Sequence, residues 1–355
     1  AFIPLWRQST WGGIDPGLGD PVQRAFLGVA YLGMALLILH PRRALATARR
    51  SALLWLLVGW AIISVLWSAL PDVTLRRAVS ALLASLYGLL LVVRYPVRSV
   101  LQMLGIALAI VIIASLGAVL LFPEWGVMGP PHPGAWQGVL YHKNALGRTS
   151  ILALLVFWIL AQDGKGFKKV AWLVLELAAL VALVGSRSMT AILIGLILAV
   201  SWLFLRGMAL LPRLLKPALL SLGLTAAFPA LFILPDYLED VLGLLGKDLT
   251  LTGRVPLWNS LIPLALERPL LGYGYGAFWS ATGPSAPVMA LFRWALQAHN
   301  GYLDMWLEIG LLGVLIAFAL LLITLVRTGQ RAFQTRNAGV WRFAFLFTVF
   351  LLFYN

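Results

Sequence analysis

Apolar runs long enough to cross a bilayer recur along the whole chain, each closed by a short polar connection. Ten are legible, at about 23–40, 51–70, 74–93, 99–122, 146–162, 170–186, 188–205, 217–234, 300–326 and 341–354. A hydrocarbon core about 30 Å thick takes roughly 20 apolar residues as a helix. The pattern therefore predicts an all-α, polytopic membrane protein of at least ten transmembrane helices, folded as a single domain over 1–355. One long polar interruption, 235–299, breaks the rhythm. Within it, LTGRVPLWNSLIPLALERP (251–269) reads as one amphipathic helix, or a pair, interrupted by Pro256 and Pro263. Its Trp258, Leu261 and Ile262 are placed for the membrane surface. LGYGYGAFW (271–279) reads as a Gly-aromatic loop.

Composition agrees with this reading. Residues are 61% hydrophobic and 11% charged, where a soluble domain carries roughly 25% charged residues. The absence of cysteine removes disulfides, thiolate zinc sites and iron–sulfur clusters. The apolar opening AFIPLW leads us to expect a further span upstream.

Charge gives the expected orientation. The net charge is +14, which in a soluble chain would raise nucleic-acid binding. Here 16 of the 27 Lys and Arg lie in five short connections, 40–50, 93–99, 162–169, 206–216 and 327–342, with Asp163 their lone acid. Read as basic loops, these face the cytoplasm by the positive-inside rule, and no nucleic-acid partner is expected. The other 11 lie on or near the outer side: Arg7, Arg24, Arg76, Arg77, Lys143, Arg148, Arg187, Lys247, Arg254, Arg268 and Arg293. Topology does not account for these.

Several of the outer cations cluster with hydrogen-bonding groups. YHKNALGRTS (141–150) gathers His142, Lys143, Asn144 and Arg148 at the mouth of an apolar run, with Asn144 and Arg148 on one helix face. Arg76 and Arg77 open another span. They point about 100° apart, so lipid anchoring does not account for both. Arg187 in GSRSMT has almost no loop in which to sit, and charge at such depth usually faces a bundle interior or a cavity. Arg254 stands near the start of a surface helix, the unfavourable end for a cation unless it meets an anion. His299 lies where the long loop re-enters the membrane, followed by Asp304 and Glu308, carboxylates that need partners such as the outer arginines. No metal-ligand spacing such as HExxH occurs, and nothing calls for a cofactor. Arginine binds phosphate bidentately, and a near-neutral histidine can take a proton from a sugar hydroxyl. This combination fits glycosyl transfer from a lipid diphosphate. It fits equally a transporter of an anionic lipid.

The order HKNALGR, GSRSMTAIL, TGRVPLW, RPLLGYGYGAFW, AHNGYLDMWLEIGLLG resembles the bacterial O-antigen ligase and O-antigen polymerase family, including exopolysaccharide polymerases, over roughly residues 60–355. The resemblance implies an all-helical glycosyltransferase of the polytopic C type, in the bacterial inner membrane, with its active site on the extracytoplasmic side. The implied donor is an undecaprenyl-diphosphate-linked glycan. Ligases pass the glycan to lipid A-core, polymerases to another lipid-linked repeat unit, with inversion and without metal. By matching motif, Arg187 and Arg254 resemble the diphosphate-binding arginines, and His299 the residue that positions or deprotonates the acceptor. His142, Lys143 and Asn144 match the HKN motif. Arg76 and Arg77 match further phosphate contacts, and Arg148 and Asn300 join the substrate-binding set. The forms of the last two motifs tilt the reading toward the polymerase branch. A glycan or lipid acceptor, membrane lipids and a chain-length regulator are the implied partners. The competing readings are a ligase, a lipid-linked glycan transporter, which predicts mid-span charges that this sequence mostly lacks, Glu176 being the clear exception, and a structural partner in an export complex.

Overall fold

The computed structural model describes Gly28 and residues 40–210, 254–334 and 338–353. The expected spans at 217–234 and over nearly all of 23–40 lie outside the described residues, as do Arg7, Arg24 and Lys247. Among the described residues the fold is helical, with one isolated bridge between Val127 and Trp136. Four helices are long and apolar enough to cross a membrane, or five if the bent pair Pro41–Arg50 and Ala52–Trp67 is one span. The chain divides into two compact units: 1–52, 83–203 and 320–354 form the first, 53–82, 204–319 and 355 the second.

The first unit begins with α1 (Pro41–Arg50). The sequence reading treats this stretch as a basic loop, and the structure makes it an amphipathic helix. Ala44, Leu45 and Ala48 share one face, Arg42, Arg43, Arg49 and Arg50 the other. Pro41 sits in the first turn and Arg49 and Arg50 in the last, both favourable placements.

With α2 (Ala52–Ile63) and α3 (Pro71–Arg94) next in the chain, the first unit continues through α4 (Val97–Leu121), α5 (Lys143–Asp163), α6 (Gly166–Gly185) and α7 (Met189–Leu210). α5 is its central helix: 61% of its apolar window is buried, against 39% for α4. Phe157, Val156, Ala153 and Leu160 pack with Ile112, Leu108, Ala179 and Ala182. Small residues permit the close approach. A β-carbon on Gly105 would meet Leu160 and Trp172, and one on Gly147 would meet Ala191 and Ser188.

The second unit contains α2, the first half of α3, α8 (Arg254–Glu267), α9 (Ala286–Leu291) and the first part of α10 (Gly301–Gln334); α11 (Ala338–Phe353) is the last described helix. α8 is one helix with Pro263 inside it. Its Leu257, Leu261 and Ala265 recur every four residues and enter a core with Tyr273, Phe278, Val288, Ala298 and Leu307. Leu261 is therefore fully buried in protein, not laid on the membrane surface as the sequence pattern implies. Trp258 is tied down by a hydrogen bond, and Ile262 is exposed.

The Gly-aromatic loop docks on a break in α10. Gly310 has φ 69° and ψ 178°. The carbonyls freed there are taken by the loop and by α2. Tyr273 N–H donates to Leu307 O, and Gly274 N–H to Glu308 O, each at 2.8 Å. Trp60 Nε1 donates to Ile309 O at 2.9 Å. In return Leu311 N–H donates to Pro269 O at 2.9 Å. The loop thus replaces a missing turn of helix, which satisfies the backbone at membrane depth.

Candidate functional site

In the second unit Arg254 opens α8, and Trp258, one turn on, donates from Nε1 to Ala298 O at 2.8 Å. Ala298 N–H donates to Asp304 Oδ1 at 2.9 Å, and Trp279 Nε1 to the same oxygen at 2.7 Å. Asn300 Oδ1 accepts from the N–H groups of Tyr302 and Leu303 at 3.1 and 3.2 Å, capping α10. His299 is thereby held between two fixed neighbours, in a left-handed conformation with φ 54°. Burial depresses its pKa below the usual imidazole value, and the Arg254 charge depresses it further, so the ring is neutral at neutral pH. Arg254 has no hydrogen-bond or ion-pair partner among the described residues. Arg254 and His299, singled out separately in the sequence, are brought together.

Among the described residues Asp304 pairs with no arginine; its Oδ1 accepts from Trp279 and Ala298. Asn300, expected to bind substrate, gives its carbonyl oxygen to the helix cap. Arg76 is exposed and donates from Nε to Asp72 O at 3.3 Å. Arg77 turns inward, its side chain lying against Gly276 in the space a β-carbon would fill.

The first unit collects the other candidates. His142 is the N-cap of α5, its Nδ1 accepting from Asn144 N–H at 3.1 Å. Asn144 Oδ1 accepts from Ser188 Oγ at 2.9 Å. This bond ties the start of α5 to the turn that presents Arg187. Arg187 has φ 48° and donates to Pro133 O at 3.5 Å, against Gly134. The rings of His132 and His142 meet edge-on at 5.6 Å. Lys143 is the first residue of α5, and Arg148 is exposed on its second turn. His142, Asn144 and Arg187 thus form one neighbourhood through Ser188, which the sequence reading passed over. GSRSMT holds the signal: a hydroxyl directly after the arginine.

A cavity of about 520 Å³ in this unit is walled by Leu154, Trp158, Leu177, Trp202 and Glu176, and contains none of the candidate residues.

His299 and Arg187 are the two non-glycine residues with positive φ among the described residues. An L-residue there costs roughly 1–2 kcal/mol, and such strain clusters at functional sites. The unit containing His299 offers a neutral imidazole within electrostatic reach of a guanidinium that has no partner among the described residues. That arrangement can accept a proton while holding an anion.

A family model described as O-antigen ligase (Wzy_C) matches residues 145–318, a stretch that includes Arg187, Arg254 and His299. The chain is also 27% identical over 317 residues to the exopolysaccharide production protein ExoQ of Rhizobium meliloti (strain 1021), covering 83% of this chain and 69% of that relative. With its several apolar helices, the chain is a multi-pass membrane protein, and these matches support its place in the O-antigen ligase and polymerase family, with a role in polysaccharide synthesis.

Proposed function

We propose that the protein is an inverting, metal-independent glycosyltransferase that polymerises surface polysaccharide repeat units on the extracytoplasmic face of the inner membrane. Its donor is an undecaprenyl-diphosphate-linked glycan, its acceptor a second lipid-linked unit, and a chain-length regulator is a further partner. The full count of ten spans belongs to this reading. The observation that carries it is that His299, held neutral, feels the charge of Arg254.

In the transfer step, the acceptor hydroxyl oxygen forms the new bond to the anomeric carbon. The bond from that carbon to the diphosphate oxygen breaks, and the hydroxyl proton passes to His299. Arg254 takes up the charge that develops on the departing diphosphate, electrostatic work that a divalent cation does elsewhere; Arg187 is assigned to the donor's diphosphate by its motif alone. Lys143, His142, Asn144, Arg148 and Arg76 support the anionic and sugar parts of the substrate.

The forms GYGYGAF and HNGYLDMWLEIG tilt the reading toward the polymerase, and the relative's name, an exopolysaccharide production protein, is compatible with it. The family model's description favours a ligase with the same donor site and a different acceptor. One experiment separates them. Purified protein in lipid nanodiscs receives a single lipid-diphosphate-linked repeat unit and no other acceptor. A ladder of longer lipid-linked glycans, absent in Arg254→Ala and Arg187→Ala, is expected. Folded protein that makes no ladder points to the ligase. Normal turnover by both variants overturns the diphosphate assignment.

A further inference from the structure

Three side chains of different chemistry meet around one peptide of the second unit, away from the Arg254–His299 pair in sequence. Gly276 touches the Arg77 side chain, and its backbone N–H is hydrogen-bonded to Glu308. Tyr275 precedes it, its own N–H donating to Ser64 Oγ at 3.0 Å. The place of this peptide is set by the α10 break and by Gly274, which sits against Ser68 where a β-carbon would overlap.

Arg77, Tyr275 and Glu308 are each intermediate in exposure as whole residues, with the Glu308 carboxyl more deeply buried than the Tyr275 hydroxyl. Burial raises the Tyr275 pKa, Glu308 raises it further, and Arg77 opposes both, so the phenol is a neutral donor at working pH. Among the described residues, neither the Arg77 guanidinium nor the Tyr275 hydroxyl has a hydrogen-bond or ion-pair partner. A carboxylate has about four acceptor positions, and the Gly276 N–H takes one of those of Glu308. Partly buried polar groups in this state call for a ligand.

The charge pattern selects the kind of ligand. A diphosphate drawn to Arg77 meets the acceptor oxygens of Glu308 in the same place. A cation drawn to Glu308 is repelled by Arg77. A polyol suffers neither penalty: one hydroxyl donates to Glu308 while others accept from Arg77 and Tyr275. The phenol ring adds an apolar surface for the C–H face of a sugar.

We propose that Arg77, Tyr275 and Glu308 form a subsite for a neutral sugar ring of the substrate glycan, distinct in chemistry from the anion-binding Arg254. The subsite rests on the glycosyltransferase reading, and it reassigns Arg77 from a phosphate contact to a sugar contact.

The test measures binding without turnover, on full-length protein in nanodiscs. The two probes are the repeat-unit oligosaccharide of the producing strain, freed of its lipid diphosphate, and inorganic pyrophosphate. Tyr275→Phe and Glu308→Gln are each expected to weaken oligosaccharide binding about fivefold, the range of one or two net hydrogen bonds, and to leave pyrophosphate binding unchanged. Arg254→Ala is expected to do the reverse. Thermal melts matching wild type keep the comparison clean, and Arg77→Lys provides a second route should Glu308→Gln fold poorly. Oligosaccharide binding untouched by these variants overturns the subsite. So does pyrophosphate binding that falls with Tyr275→Phe. A wild-type protein that binds the oligosaccharide through Tyr275 yet never transfers it would sink the enzyme reading and leave the subsite standing.

Discussion

His299 combines two costs that a merely structural histidine has no reason to bear. Its backbone is left-handed, and its ring is partly desolvated beside a cation. Both effects act in one direction on its charge. Desolvation disfavours imidazolium, and so does Arg254, so the folded pKa lies below the ordinary 6.5. The neutral ring is then the working form, and activity is expected to fall as pH drops through that lowered value. The stability contribution has the same sense: full above 6.5, lost as pH falls through the folded pKa, because the unfolded chain binds the proton first. Acylation of His299 by diethyl pyrocarbonate, followed peptide by peptide across pH, reads the titration directly. Its midpoint should lie below 6.5 in wild type and rise in Arg254→Gln. A midpoint indifferent to Arg254 would remove the electrostatic coupling on which the proton-transfer step depends. The residue types at this site were legible in the sequence, since a lone Arg at a helix start and a His at a membrane re-entry both need explaining. The backbone strain was not, because positive φ at Arg187 and His299 comes from tertiary contacts rather than local propensity. Asn300 carries a second use that its place next to His299 does not announce: its Oδ1 caps α10.

The element that organises the second unit is the broken helix α10. A single substitution tests its importance. A β-carbon at Gly310 overlaps the backbone of Leu270 and Leu271, and φ 69° alone penalises any L-residue by roughly 1–2 kcal/mol. Gly310→Ala should lower thermal stability by at least about that amount and release the 269–274 loop, with loss of transfer activity. Gly117→Ala in α4 is the control. Nothing lies within 4 Å of its added methyl, and a helical Gly-to-Ala change is worth about 1 kcal/mol in the stabilising direction. Equal melting temperatures for the two variants would mean that the break is incidental. From sequence, LEIGLLGVLIAF reads as unbroken helix, since glycine is common in membrane spans. The break exists because the Gly-aromatic loop offers donors and acceptors for the groups it exposes, a pairing far apart in sequence. The opposite holds for α1. Its apolar face was present in Ala44, Leu45 and Ala48, but its four arginines invite a loop reading based on charge alone.

For the whole molecule, the proposed chemistry requires that the polar ends of α5 and α10 face away from the cytoplasm. α5 runs from Lys143 to Asp163, 21 residues, or about 31 Å at 1.5 Å per residue. That length matches a hydrocarbon core of about 30 Å. When α5 crosses, the His142 end and the Lys165 end lie on opposite sides. The Lys165 end carries Lys168 and Lys169, and Arg98 pairs with Asp163 there at 3.8 Å. By the positive-inside rule this concentration of cations is what a cytoplasmic end carries. The chain has no cysteine, so single thiols can be introduced without background. Gly129→Cys, where nothing lies within 4 Å of the added carbon, and Ala281→Cys, an exposed position in the loop before α10, should react with a membrane-impermeant maleimide in intact spheroplasts. Lys165→Cys, exposed at the start of α6, should react only after permeabilisation. The reversed pattern would place Arg187 and His299 on the cytoplasmic side. A lipid-linked glycan presented at the outer face would then have no access to them, and the polymerase and ligase readings would fall together.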